Sequence, residues 1–175
     1  MKKLIVFFLF FLFVGTANAN LITNGDFSTL DITGWTLTGG EYSNASGGFF
    51  QEYDNTGWAV LSQDITTASG TEYDLSFDTF ATRIDGNDFA WSIDGGALNS
   101  IATTTDWVTN FDTFITTSTT TNIAFYMATD SGTGTWGLDN ISVTLSGFDP
   151  VPEPTTMILF SIGLLGLAGV TRRTK

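Results

Sequence analysis

Apolar and polar side chains alternate along much of this chain with the two-residue period of half-buried β-strands. In TEYDLSFDTFAT (71–82), Tyr73, Leu75, Phe77, Thr79 and Ala81 share one face; Asp74, Ser76, Asp78, Phe80 and Thr82 share the other. DFAWSIDGG (88–96) aligns Phe89, Trp91 and Ile93 and ends in Asp94-Gly95, a pair suited to a tight hairpin turn. TNIAFYMAT (121–129) aligns Ile123, Phe125 and Met127, and LDNISVTL (138–145) aligns Ile141, Val143 and Leu145. Further strands are expected near 20–27, 34–38, 41–50, 58–66 and 106–117, with TTSTTTN (116–122) as a hairpin connection. Eight or nine short strands and no helical periodicity predict an all-β fold, an antiparallel β-sandwich.

The two ends break this pattern. Lys2 and Lys3, the apolar run Leu4 to Val14, and Ala17-Asn18-Ala19 have the order of a secretory signal peptide cleaved after Ala19. Eleven apolar residues make about 17 Å of helix, too short for a hydrocarbon core of roughly 30 Å. The far end holds all three prolines, Pro150, Pro152 and Pro154, then an apolar stretch from Met157 to Val170, then Arg172, Arg173 and Lys175. The prolines predict a stiff, extended linker. Thr155 to Thr171 makes about 25 Å of helix, a marginal membrane span with its basic end held in the cytoplasm. The expected organisation is therefore a signal peptide (1–19), a sandwich (20–147), a proline-rich linker (148–154), and a transmembrane helix with basic tail (155–175).

Composition narrows the functions open to the body. Residues 20–150 carry all but one of the 18 acids, and Arg83 is their lone cation, so nucleic acid is excluded as a partner. Histidine and cysteine are absent. That removes Ser-His and Cys-His catalysis, histidine metal sites and disulfides. No nucleophile elbow, phosphate loop, zinc spacing or EF-hand loop is present. The acids are numerous enough for close pairs to arise by chance, so a glycosidase reading has no specific support.

Two resemblances follow from ordered motifs. Pro152-Glu153-Pro154, the apolar run and the basic Arg172, Arg173 and Lys175 resemble the PEP-CTERM sorting signal. That resemblance implies export in a bacterium making exopolysaccharide, a transient stay in the inner membrane, and processing by an exosortase. The alternative is a plain tail anchor. In the body, LITNGDFST (21–29), GW (34–35), WAVLSQDIT (58–66), GTEYDLSFDTFA (70–81), WSIDG (91–95), DWVTNFDTFITT (106–117) and GLDNISVTL (137–145) succeed one another. This order resembles the jelly-roll carbohydrate-binding modules of the galactose-binding-like kind. The resemblance implies a structural calcium held by Asp139 of the last-strand motif with oxygens of the first. Here the first-strand acid is replaced by Ser28, leaving Asp26 or carbonyls near Asn24 to serve. Asp139 shares parity with Ile141 and Val143 and is expected at the end of a core-facing stripe, where a carboxylate needs a cation or several donors.

A sugar site requires an exposed aromatic platform beside Asp, Asn or Gln acceptors. Trp136, next to the glycine-rich SGTGT, is the first candidate, with Tyr126 and Trp58 beside it; Trp35, Trp91 and Trp107 are expected in the core. The acidic body favours neutral polysaccharide as the ligand. The resulting expectation is an exported, non-enzymatic surface or matrix protein, with a ligand-free structural spacer as the alternative.

Overall fold

The computed structural model describes residues 19–39, 45, 47–52, 57–83, 87–129 and 135–147. Nine strands form: β1 (Thr36–Thr38), β2 (Phe50–Glu52), β3 (Ala59–Thr66), β4 (Glu72–Ala81), β5 (Asn87–Ile93), β6 (Asn99–Ile101), β7 (Val108–Ile115), β8 (Thr120–Thr129) and β9 (Trp136–Leu145). They make a five-stranded sheet, β1-β3-β8-β5-β6, and a four-stranded sheet, β2-β9-β4-β7, with every pairing antiparallel. Ala19–Ser146 is a compact unit. Among the described residues no helix is long and apolar enough to cross a membrane.

The sandwich closes on the side chains that the two-residue period aligns. Tyr73, Leu75, Phe77, Thr79 and Ala81 of β4 are all buried, as are Ile123, Phe125 and Met127 of β8. Phe77 sits at the centre, with its ring 5.0 Å from Phe125 and 6.1 Å from Phe89. Trp35 and Trp91 are buried in this core as expected. The β5–β6 hairpin turns at Asp94 and Gly95, both with positive φ, and the N–H of Gly96 donates to the Ile93 carbonyl at 2.8 Å.

Three expectations are corrected. TTSTTTN does not close a hairpin, because β7 and β8 lie in different sheets and the segment crosses between them. The stretch expected at 41–50 yields only β2 among the described residues. Residues 20–27 do not form a strand, because Asn24 and Phe27 adopt left-handed φ of 53° and 46° and curl the chain into turns. This segment nevertheless borders β9. The Leu21 N–H donates to the Val143 carbonyl, the Ile141 N–H to that of Gly25, and the Asn20 Oδ1 accepts from the N–H groups of Ile22 and Val143. Buried Gln63 fixes the other side, accepting from the Thr23 N–H at 2.7 Å and donating to its carbonyl at 3.0 Å.

β9 also contains a bulge. Ser76 pairs with Ser142 but Asp78 pairs with Asp139, so two steps of β4 are matched by three of β9. The extra residue falls at Asn140, whose φ of 50° suits asparagine better than most side chains. Side-chain parity reverses across it. Ile141 and Val143 point inward on one side, and Trp136 and Leu138 do so on the other.

Candidate functional site

The bulge overturns two readings of the sequence. Asp139 is not at the end of the core stripe: it is paired with Asp78, whose parity is opposite to that of buried Phe77 and Thr79. Trp136 is not a platform. It is 1 % exposed, its indole N–H donates to the Ala128 carbonyl at 3.0 Å, and its ring lies 5.1 Å from Phe89. Tyr126 and Trp58 do come together, edge to face at 6.2 Å, on the outside of the five-stranded sheet. Trp58 is exposed, and the Tyr126 hydroxyl accepts a hydrogen bond from Ser92. Ala19 is exposed; Ala17, Pro152, Glu153, Pro154, Arg172, Arg173 and Lys175 lie outside the described residues.

A different aromatic group occupies the outer face of the four-stranded sheet. Phe80 falls on the polar face of β4 in the sequence pattern, and its ring lies across Gly137 of β9. A β-carbon at Gly137 would sit inside that ring, so the missing side chain is what lets Phe80 lie against the sheet. Trp107 rests on Phe80 with centroids 4.5 Å apart, and Phe49 meets both edge-on or nearly so, at 5.6 Å from Phe80 and 5.4 Å from Trp107. Trp107 is 46 % exposed, which corrects its expected place in the core. The cause is its position: it enters β7, the last strand of the sheet, and packs over the outside instead of between the layers. The lone Phe80 among the outward acids of β4 is the signal that marks this face in the sequence.

Polar groups stand beside these rings. Asp78 and Asp139 occupy the register position two residues from Phe80 and Gly137, roughly 7 Å along the strands. The Asn140 side chain donates to Asp78 at 2.8 Å, and its N–H donates to Asp139 at 2.8 Å. Partial burial raises the Asp139 carboxyl above the usual range; the charges of Asp78 and Asp26 add to the rise, and the Asn140 N–H opposes it. The N–H and side chain of Ser28 hold Asp26 below its ordinary value. The carbonyls near Asn24 are already engaged: Asn24 accepts from the Trp35 indole at 3.1 Å and Gly25 from Ile141 at 2.9 Å. Among the described residues no three acidic side chains converge as a metal-ligand set.

Comparison with known proteins fits both ends of this description. Residues 150–173 match the PEP-CTERM protein-sorting motif. No curated protein matches the sequence. Among solved structures, the chain is similar to TmCBM61 in complex with β-1,4-galactotriose, at 18% identity and TM-score 0.57, over 73% of this chain and 99% of that one. A CBM4 structure gives 18% identity and TM-score 0.52 over 63% of this chain and 94% of its own. The CBM22-1 xylan-binding domain of Xyn10C from Paenibacillus barcinonensis gives 16% identity and TM-score 0.54, over 78% and 100%. The chain thus carries a PEP-CTERM sorting motif behind a β-sandwich that resembles carbohydrate-binding jelly rolls.

Proposed function

We propose that this is an exported surface or matrix protein that binds a neutral glycan on the outer face of its four-stranded sheet and performs no catalysis. The observation that carries the reading is the Phe80–Trp107–Phe49 group lying beside Asp78, Asp139 and Asn140. Apolar C–H faces of a sugar stack on such rings while its hydroxyls donate to the carboxylates. The solved neighbours described with galactotriose and xylan support a saccharide as the ligand class. The excess of negative charge favours an uncharged chain over an acidic one. Titration of soluble neutral oligosaccharides against the protein tests the reading; no binding at millimolar sugar would overturn it.

The sorting motif supplies the route. A secretory signal brings the body across the inner membrane, the C-terminal apolar segment retains it there, and an exosortase acts at Pro152-Glu153-Pro154. Replacing these three residues with alanine is expected to leave export intact and to prevent maturation and release. The same final location and mass in the altered protein would reduce the tail to an anchor.

Calcium, the ion implied by the resemblance, is proposed to act at the register-paired Asp78 and Asp139 alone, because Asp26 does not converge with them as a third ligand and the carbonyls of Asn24 and Gly25 are engaged. The raised Asp139 carboxyl gives the pH dependence. Its favourable contribution is complete below its ordinary value of 3.8 and is lost as pH rises through its higher folded-state value. Asp139→Asn, which cannot ionise, is therefore expected to raise Tm at neutral pH without calcium, and the gain shrinks toward zero on acidification. Added calcium is expected to raise the Tm of the unaltered protein but not that of the variant. A calcium-insensitive Tm overturns the ion and leaves the pH result standing.

A further inference from the structure

β7 is the one long strand at a sheet edge among the described residues. The other edge strands, β1, β2 and β6, are three residues each. The flank of β9 beyond β2 is bordered by Asn20–Gly25 through the hydrogen bonds described above. β7 runs for eight residues, VTNFDTFI, and contains no lysine, proline or bulge of the kind that usually keeps an edge from pairing. It also gathers the exposed apolar surface. Of the seven large hydrophobic residues exposed on the described surface, Val108, Phe111 and Ile115 lie on β7 and Trp107 immediately precedes it; Phe111 is 79 % exposed and Ile115 64 %.

The direction of its free backbone groups follows from the ladder. The Thr116 N–H donates to the Thr71 carbonyl, so even-numbered residues turn toward β4. Thr109, Phe111, Thr113 and Ile115 consequently aim N–H and C=O groups at the open flank. One of these donors is already held, since the Thr113 N–H reaches the neighbouring Asp112 carboxylate at 2.7 Å.

We propose that β7 pairs antiparallel with β7 of a second copy about a two-fold axis at Phe111, joining two four-stranded sheets into one of eight strands. The sequence of the strand is complementary to itself in this register and not in its neighbours. Phe111 meets Phe111, Val108 meets Phe114, Thr109 meets Thr113, Asn110 meets Asp112, and Trp107 meets Ile115. Apolar thus faces apolar, and each carboxylate faces an amide. Moving the axis one residue to Asp112 sets carboxylate against carboxylate; moving it to Asn110 sets Val108 against Asp112. The Thr113 N–H exchanges Asp112 for the carbonyl of the partner's Thr109. The two outer faces then lie on the same side, so two aromatic groups are presented together and a long polysaccharide gains bivalent attachment. The net negative charge of each body opposes association, and salt relieves it.

The full chain has no cysteine, which makes the register directly testable. Hydrogen-bonded partners on antiparallel strands lie about 5.5 Å apart at Cα, within the span a disulfide bridges. Thr109→Cys with Thr113→Cys is expected to yield, under mild oxidation, a reducible product of twice the monomer mass, more of it at higher salt. Either single variant gives none, because position 109 faces 113 and not itself. Adding Phe111→Lys to the double variant, at an exposed position, is expected to abolish the product. A double variant that stays monomeric overturns the proposal, as does a dimer that persists with Phe111→Lys or forms equally in the single variants. Should Phe111→Lys misfold, the comparison of double and single variants, all of which keep Phe111, decides by itself. Glycan titration is read separately, so failure of the dimer leaves the glycan face untouched.

Discussion

Trp136→Ala is expected to destabilise the sandwich by about 3–5 kcal/mol, the upper range for truncating a core side chain. The whole indole is enclosed, packed on Phe89 and tied to the Ala128 carbonyl. Its removal leaves a cavity between the sheets and takes one donor from the Ala128 carbonyl. A domain of this size has about 5–15 kcal/mol in total, so the variant should melt far below the parent, as thermal unfolding followed by circular dichroism would show. If Tm were unchanged and glycan binding lost instead, Trp136 would be a surface platform and the parity reversal in β9 would be wrong.

Trp107→Ala is expected to do the opposite: weaken glycan binding strongly and leave the fold nearly intact. Nearly half of the indole surface is open, on the order of 100 Å², and covering it with sugar is worth about 2 kcal/mol. Affinity should therefore fall by roughly thirtyfold. Stability should change by no more than about 1 kcal/mol, because Trp107 packs on Phe80 and Phe49 only from outside. Calorimetric titration of the variant beside Trp58→Ala distinguishes the two sheets. Binding lost in Trp58→Ala and kept in Trp107→Ala would move the site to the Trp58–Tyr126 pair.

The contrast between these two tryptophans shows how far the sequence could be read. Strands β3, β4 and β8 are legible because each alternates cleanly, and burial of one face follows whatever the neighbouring strand does. The order of motifs was legible enough to suggest a jelly roll, and the tail to suggest a sorting signal. The face proposed for glycan was marked in the sequence by Phe80 alone. Its rings come from Phe49, Phe80 and Trp107, which are distant in sequence and meet only because β9 lies between β2 and β4 and β7 borders β4.

Composition and order alone determined that the body is acidic, without histidine or cysteine, built of alternating strands, and followed by a Pro-Glu-Pro signal and basic tail. These are properties of residue type and spacing, which the chain carries before it folds. Tertiary structure decided which side of each ambiguous residue faces the core. At Asn140 a left-handed backbone inserts one residue into β9, turns Trp136 inward and sets Asp139 beside Asp78 on the outside. A period of two cannot reveal such an insertion, because it registers only against the partner strand that the bulge fails to match.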